Sequence, residues 1–318
     1  MELARVMRHL GSIGHIDETD QDEYRLTVFS KALSIPNIAN GLIGLTCTTG
    51  AAMLKFHEHS RKNGWRNPTD SKDTALMYAY GTDKDAFSWI QSQGYGAYFN
   101  DHMNIYRPLP WMSTGRFPVE ERLIDGADSS PDAPFWVDIG GCLGRDLMDL
   151  HHFYPQVPGK LILQDLPPVI NEVKKRNPAI TAMEYNFLTE QPVKGTTRLR
   201  QMSVSQTVTK KSLGSRAYYM HSVLHDWPDD ICQKILSHII DAMKRGYSKL
   251  LIHESVVPPT NASWETTARD IIMMTHFSSQ ERNEADWRNL LEGKAGLRIS
   301  KIWKLDMPDE CLIECELP

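Results

Sequence analysis

Cysteine is sparse in this chain and builds no framework. Its 318 residues include Cys47, Cys142, Cys232, Cys311 and Cys315, an odd set with no C-x-x-C spacing. That pattern argues against a disulfide scaffold or a thiolate zinc site and fits a reducing, cytoplasmic setting. Long apolar runs are missing too: none approaches the ~18 residues of a membrane span. The opening MELARVMRHL mixes charge with apolar residues and is no secretory leader. Nor is there a basic excess, since net charge is −5 and pI about 6.2. Such a surface does not draw phosphate backbones, which argues against a nucleic-acid partner. What the chain does have is 41% hydrophobic residues, enough for one large domain or a main domain with a smaller one.

The first half reads as mostly helical. Leu3, Val6, Met7 and Leu10 share a helical face, which Gly11 and Gly14 should end. Segments 13–16 and 24–27 then flank the acidic DETDQDE, like a hairpin wing whose turn would repel phosphate. Residues 31–125 are rich in aromatics and methionine. The stretch AFSWIQSQGYGAYFNDHM (86–103) reads either as a core helix pair or as an apolar lid over a flat ligand. The turn-rich GADSSPDAP (126–134) marks a linker between a unit of residues 1–125 and one of residues 135–318.

From residue 135 strands alternate with helices. FWVDIG, KLILQDLP, RAYYMHSVL and KLLIHESVV read as strands, while RDLMDLHHF, PPVINEVKKR and DDICQKILSHIIDAMK read as helices. LRISKIWKL and ECLIECEL form a closing pair of strands. This alternation predicts an α/β fold, a doubly wound parallel sheet with an antiparallel C-terminal edge.

The first strand runs into Gly140-Gly141-Cys142-Leu143-Gly144. Glycines there let the backbone approach a ligand at the start of a helix. The dinucleotide spacing G-x-G-x-x-G is absent, so NAD is weakly supported. The turn fits D-x-G-x-x-x-G instead, through Asp138, Gly140 and Gly144, and resembles the S-adenosylmethionine (SAM) turn of class I methyltransferases. Asp165 ends the next strand, where a carboxylate accepts ribose hydroxyls. His225, in HSVLHDWPDD (221–230), follows a strand at the sheet edge where ligands bind, and the acids of DWPDD read as helix-start residues that favour the dipole. A histidine near its ordinary pKa of ~6.5 removes protons at neutral pH. Glu254 and Glu281 also lie at element ends, and either could fix its tautomer. Each of these three alone would more often be structural or solvated.

Together these segments resemble the plant and fungal small-molecule O-methyltransferases of the caffeate/hydroxyindole type, in the fungal style. The likeness runs through LARVMRHL, RNPTD (66–70), FNDHM (99–103), VDIGG (137–141), LQDLP (163–167), AYYMHSVLHDWPDD (217–230), SKLLIHE (248–254) and ER-x-E-x-x-W (281–287). It implies a Rossmann-like catalytic domain after a winged-helix-like helical one. It implies His225 as base, flanked by Glu254 and Glu281, with no metal. Cofactor contacts would come from Asp138, Gly140, Gly141, Gly144, Asp165 and Leu166, with Asn186, Phe187 and His221 near the nucleoside. Phe99 and Met103 would line the pocket for a phenolic or polyketide-type acceptor.

The chain departs from that family at several points. Cys142 and Leu143 stand where a glycine and a small or polar residue are usual, so Leu143 either crowds the cofactor or packs. Asn186 replaces an Asp, and His221 replaces an Arg or Lys. Twenty residues, TTRLRQMSVSQTVTKKSLGS (196–215), have no family counterpart and read as a surface loop or retained intron sequence. Met1 falls inside the expected N-terminal helical unit, which weakens the family's homodimer. Two rival functions therefore stand beside methyl transfer: a pericyclase or dehydratase that only binds SAM, and an inactive pseudoenzyme.

Overall fold

The computed structural model describes residues 2–105, 110–173, 178–194 and 214–318. Most of the segment 196–215 therefore lies outside the described residues.

Helix α1 (Glu2–Ser12) leads into an antiparallel hairpin, β1 (Ile16–Asp20) and β2 (Glu23–Leu26). The acidic residues thus form β1 itself, with the reversal at Gln21 and Asp22, where the sequence suggested one long acidic turn. A two-stranded ribbon with most side chains in water needs no apolar alternation. Helix α1 likewise continues through Gly11, and the left-handed Gly14 (φ 76°) lies beyond it.

Helices α2 (Val28–Leu33), α3 (Pro36–Lys62), α4 (Ala75–Tyr80), α5 (Ala86–Ser92) and α6 (Gly96–Ile105) follow. Gly44 is where α3 and α6 meet most closely: a Cβ there would lie 3.0 Å from the backbone of Tyr98. Residues 86–103 are thus a helix pair. Trp89 and Ile90 are buried in a small core with Ala52, Leu76 and Ala86, while Phe87 and Phe99 stay half-buried.

The second part contains strands β3 (Pro134–Ile139), β4 (Lys160–Asp165), β5 (Ile180–Glu184), β6 (Ala217–His221), β7 (Lys249–Ser255), β8 (Arg298–Lys304) and β9 (Glu310–Glu316). Between them lie helices α7 (Arg145–Phe153), α8 (Pro167–Val173), α9 (Asp229–Ala242), α10 (Trp264–Phe277) and α11 (Glu284–Arg288). The strands form one sheet in the order β5-β4-β3-β6-β7-β9-β8. Strands β3 to β7 run parallel, and β9 is antiparallel to both neighbours. Apolar cores cover both faces, around Tyr218, Ile235 and Ile252 on one and Trp136, Leu147 and Tyr219 on the other. Burial on both sides explains why FWV and LIL read as unbroken apolar runs.

Chain order reverses between β3 and β6, so a crevice opens at their C-terminal ends. Both the glycine turn and the His225 segment emerge there.

Candidate functional site

The glycine turn is built for close approach. Gly140, Cys142 and Gly144 all adopt left-handed φ, at 71°, 52° and 74°. Gly141 is held by packing instead. A Cβ there would lie 2.5 Å from both the buried Asp138 carboxylate and the Leu163 side chain. A Cβ on Gly140 would meet Val223 at 3.0 Å and Phe187 at 4.0 Å, which puts those two side chains beside the turn. Leu143 packs into the core beside Leu147 and Leu163.

Asp165 closes the turn from β4. Its Oδ2 accepts the Cys142 N–H at 2.8 Å and its Oδ1 accepts the Leu166 N–H at 2.7 Å. Burial pushes this carboxyl up to about 6, against the pull of those amides. It is therefore mostly ionised at neutral pH. Each oxygen has acceptor capacity beyond the amide it already holds. The amides of Gly140, Gly141, Cys142 and Gly144 are all bonded within the protein, so the turn offers close backbone approach and the carboxylate at its lip offers acceptors for ribose hydroxyls. Asn186 is exposed, and its Oδ1 accepts the Leu188 N–H at 3.0 Å.

His221 is nearly buried and turned into a polar cluster. Its Nδ1 lies 2.7 Å from Asp146 Oδ2, and its ring centre lies 3.6 Å from that of His253 with the planes tilted by 31°. The Tyr219 hydroxyl donates to Asp146 Oδ2 at 2.9 Å and lies 3.0 Å from His253 Nδ1. Asp146, His221 and His253 bring three metal-capable atoms within 4.8 Å, as do His225, Glu254 and Glu281. In both groups hydrogen bonds and ion pairs already account for the close contacts.

His225 sits on a short helical turn, Leu224–Asp226, just past β6. The turn begins after Ser222, itself left-handed at φ 52°. Its backbone is held from both sides. Glu254 Oε1 accepts the N–H groups of Val223, Leu224 and His225 at 2.9, 2.9 and 3.3 Å. Buried Arg282 donates to the carbonyls of Leu224 and Trp227, both at 2.9 Å. The Ser279 hydroxyl donates to the carbonyl of His225.

The imidazole has a separate partner. His225 Nδ1 lies 2.8 Å from Glu281 Oε1 and 3.6 Å from Glu254 Oε2. An ionised Glu281 accepts from Nδ1–H, which leaves Nε2 as the basic nitrogen. Asp226 Oδ1 is 3.5 Å from that Nε2. The sequence reading grouped Asp226 with the acids that open helix α9. Instead it precedes the helix and faces the histidine, while Asp229 and Asp230 occupy the first turn.

Burial alone would hold the His225 pKa down. The charges of Glu254, Glu281 and Asp226 outweigh it and raise the imidazole well above its ordinary value. Burial pushes Asp226 and Glu254 up to about 7 each, while His225 pulls them down. Burial opposes ionisation of Glu281 too, but His225 and Arg269 keep it low. These groups share protons, so their titration belongs to the cluster.

Aromatic rings connect this turn to helix α6. Phe99 meets Phe87 edge-on at 5.9 Å, Phe87 lies 6.2 Å from Trp227, and Trp227 meets Phe187 at 5.9 Å. Phe277 packs on Phe87 at 5.3 Å. Met103, half-buried, lies one helical turn past Phe99 on the same face. Ring contacts and hydrogen bonds thus connect Phe99, Phe187, His225, Glu254 and Glu281, whereas Asn186 is exposed and His221 turns to Asp146 and His253. Sequence reasoning missed Asp226, Trp227, Arg269 and Arg282. Asp226, Trp227 and Arg282 lay within quoted motifs, whereas Arg269 sits in a polar stretch that looks like surface.

Comparison with known proteins follows from this geometry. An O-methyltransferase domain family model matches residues 203–298. O-methyltransferase mfmE of Annulohypoxylon moriforme is 33% identical over 99% of this chain and 73% of its own. Demethylsterigmatocystin 6-O-methyltransferase of Aspergillus flavus is 30% identical over 98% and 74%. Among solved structures, one described as a pericyclic reaction enzyme and one of LepI in complex with SAM each superpose with a TM-score of 0.85. Each is 28% identical, over 99% of this chain and 76% of theirs.

Proposed function

The chain belongs to the SAM-dependent O-methyltransferases of fungal secondary metabolism, and from that premise we propose that it methylates a hydroxyl of a phenolic or polyketide-type acceptor with His225 as general base. One observation carries the assignment of the base: His225 Nδ1 is held by Glu281 at 2.8 Å on a turn fixed at the C-terminal edge of the sheet.

A phenol with pKa ~10 is a poor nucleophile until its proton leaves. When bound, SAM supplies an electrophilic methyl on a sulfonium. Nε2 of His225 takes the hydroxyl proton, and Glu281 stabilises the imidazolium that forms. A positioned base of this kind contributes ~10²–10⁴ in rate. Glu254 fixes the turn, so the nitrogen keeps its place. Phe87, Phe99, Met103 and Phe277 provide an apolar face for a flat acceptor, and holding its oxygen in line contributes further. Asp138, Gly140, Gly141, Gly144, Asp165 and Leu166 hold the cofactor, with Phe187 near its base. Exposed Asn186 completes the proposed nucleoside surroundings, while His221, held by Asp146 and His253, acts behind them.

Calorimetric titration with S-adenosylhomocysteine (SAH) tests the cofactor half of this reading. Micromolar binding supports it, and a folded protein without affinity removes it.

A second reading has the likeness to the pericyclic reaction enzyme in its favour, together with the altered turn at Cys142 and Leu143. In that reading SAM stays intact and the product keeps the mass of the substrate. We also propose a cytoplasmic location; no helix among the described residues is long and apolar enough to cross a membrane. A homodimer is proposed over the exposed apolar residues Leu3, Val6, Leu42, Ile43 and Leu54. Light scattering at a monomer mass would remove it.

A further inference from the structure

Arg269 on α10 lies between two buried acids that belong to different clusters. Its Nε donates to Glu281 Oε1 at 2.6 Å, on the same oxygen that faces His225 Nδ1. Its Nη2 reaches Glu310 Oε1 at 3.2 Å and also the hydroxyl of Ser255. Glu310 Oε2 in turn lies 3.5 Å from His253 Nε2. The guanidinium therefore joins the candidate base to the buried group of His253, Tyr219, Asp146 and His221.

This chain of contacts is not a proton wire. Arginine keeps its proton under all ordinary conditions and cannot relay one. What it supplies is a fixed positive charge and a rigid fork. Burial works against the charge on Arg269 itself, and the two acids together outweigh it and keep the guanidinium charged. Without it, Glu281 would have only the imidazole to hold it in place.

We propose that Arg269 is a positioning residue for the reaction: it fixes the Glu281 carboxylate on Nδ1 and so sets the tautomer and the basicity of His225. The proposal rests on His225 being the base, but its test does not depend on turnover. The charged groups that face the imidazole are Asp226 on its own turn, Glu254 from β7 and Glu281 from the segment before α11, while Arg269 lies behind Glu281 and Arg282 holds the backbone of the turn. Glu310 from β9 acts on it only through Arg269. Removing the Arg269 cation frees the Glu281 carboxylate from Nδ1, and the imidazolium loses the anion that raises it. The titration of His225 must then move downward.

The experiment is histidine-selective nitrogen NMR of the full chain saturated with SAH, with His225 assigned by its absence in His225→Gln. The wild type should show His225 protonated on Nδ1 when neutral. In Arg269→Met its midpoint should fall by at least about half a pH unit, a modest part of the Coulomb effect of a partly buried neighbouring charge. Arg269→Gln, which keeps polar donors and removes charge, should shift it in the same direction if the Met variant fails to fold. Arg269→Lys, which keeps the charge, should return the midpoint to near the wild-type value. An unchanged midpoint and tautomer in a folded, SAH-binding Arg269→Met or Arg269→Gln protein overturns the proposal, whatever the variant does to stability. If no acceptor is methylated even by the wild type, the reaction is misassigned, and the titration still decides the role of Arg269.

Discussion

His225 Nδ1 lies 2.8 Å from Glu281 and 3.6 Å from Glu254, and the two acids hold different parts of the same residue. Glu281 holds the ring, while Glu254 accepts three successive backbone amides beneath it. Their substitutions should therefore separate. Glu254→Ala leaves those amides unsatisfied in the interior and should cost about 2–4 kcal/mol of stability. Glu281→Gln should leave the fold intact, lower kcat at least tenfold, and shift the acid limb of kcat/KM to lower pH, because a negative neighbour of the imidazolium is gone. Thermal melts and pH-rate profiles of the two variants check this. Equal losses of stability would contradict it.

Activity and stability should respond to pH in opposite directions above neutrality. His225 titrates above its ordinary value in the folded chain. Its stabilising contribution is therefore complete below about pH 6.5 and is lost as pH rises through the folded value. The same deprotonation frees the base, so kcat/KM should climb over that interval. Melting temperature measured from about pH 7 to 9 should fall more in the wild type than in His225→Gln. A parallel fall in both would assign the slope to other groups.

Gly141 should tolerate no side chain. The added methyl of Gly141→Ala would overlap the Asp138 carboxylate and Leu163, both 2.5 Å away. Overpacking of this kind costs about 1–3 kcal/mol. The displaced turn should also weaken SAH binding more than tenfold, read by calorimetry. Unaltered affinity would mean that the cofactor does not rest on this turn.

Phe87 and Phe99 should matter for the acceptor and little for the cofactor. Phe99→Ala is expected to raise the acceptor KM several-fold with SAH affinity within twofold. A selective loss of SAH binding would place the aromatic row on the wrong ligand.

Much of the architecture was legible because the central strands are buried on both faces. FWV, LIL and KLLI announce themselves as apolar runs, and their ends locate Asp165 and Glu254. Strand β5 (ITAME) escaped notice because it is an edge strand with every residue at least partly exposed. The hairpin acids of β1 looked like a turn for the same reason. His225 and Glu254 stood out at the ends of strands and Glu281 ahead of a helix, and the structure places the two carboxylates beside the imidazole. The division of labour between Glu254 and Glu281 could not, because it depends on how one turn folds over another. Arg269 was hidden more deeply, and Arg282 stood in the quoted ER-x-E-x-x-W with no role given to it. Sequence patterns assign ARD and ERN to the surface, yet both guanidiniums are drawn inward by acids and carbonyls from distant segments. Asp226 was visible as a residue but assigned to the helix that begins three positions later.

The most direct test of the central claim is the mass of the product. Wild type and His225→Ala are each incubated with SAM and a panel of phenolic and polyketide acceptors, and products are read by mass spectrometry. A gain of one methyl with the wild type, lost by about 10²-fold or more in a His225→Ala protein that still binds SAH, is the predicted result. A rearranged product of unchanged mass, or full methylation by His225→Ala, would contradict the account.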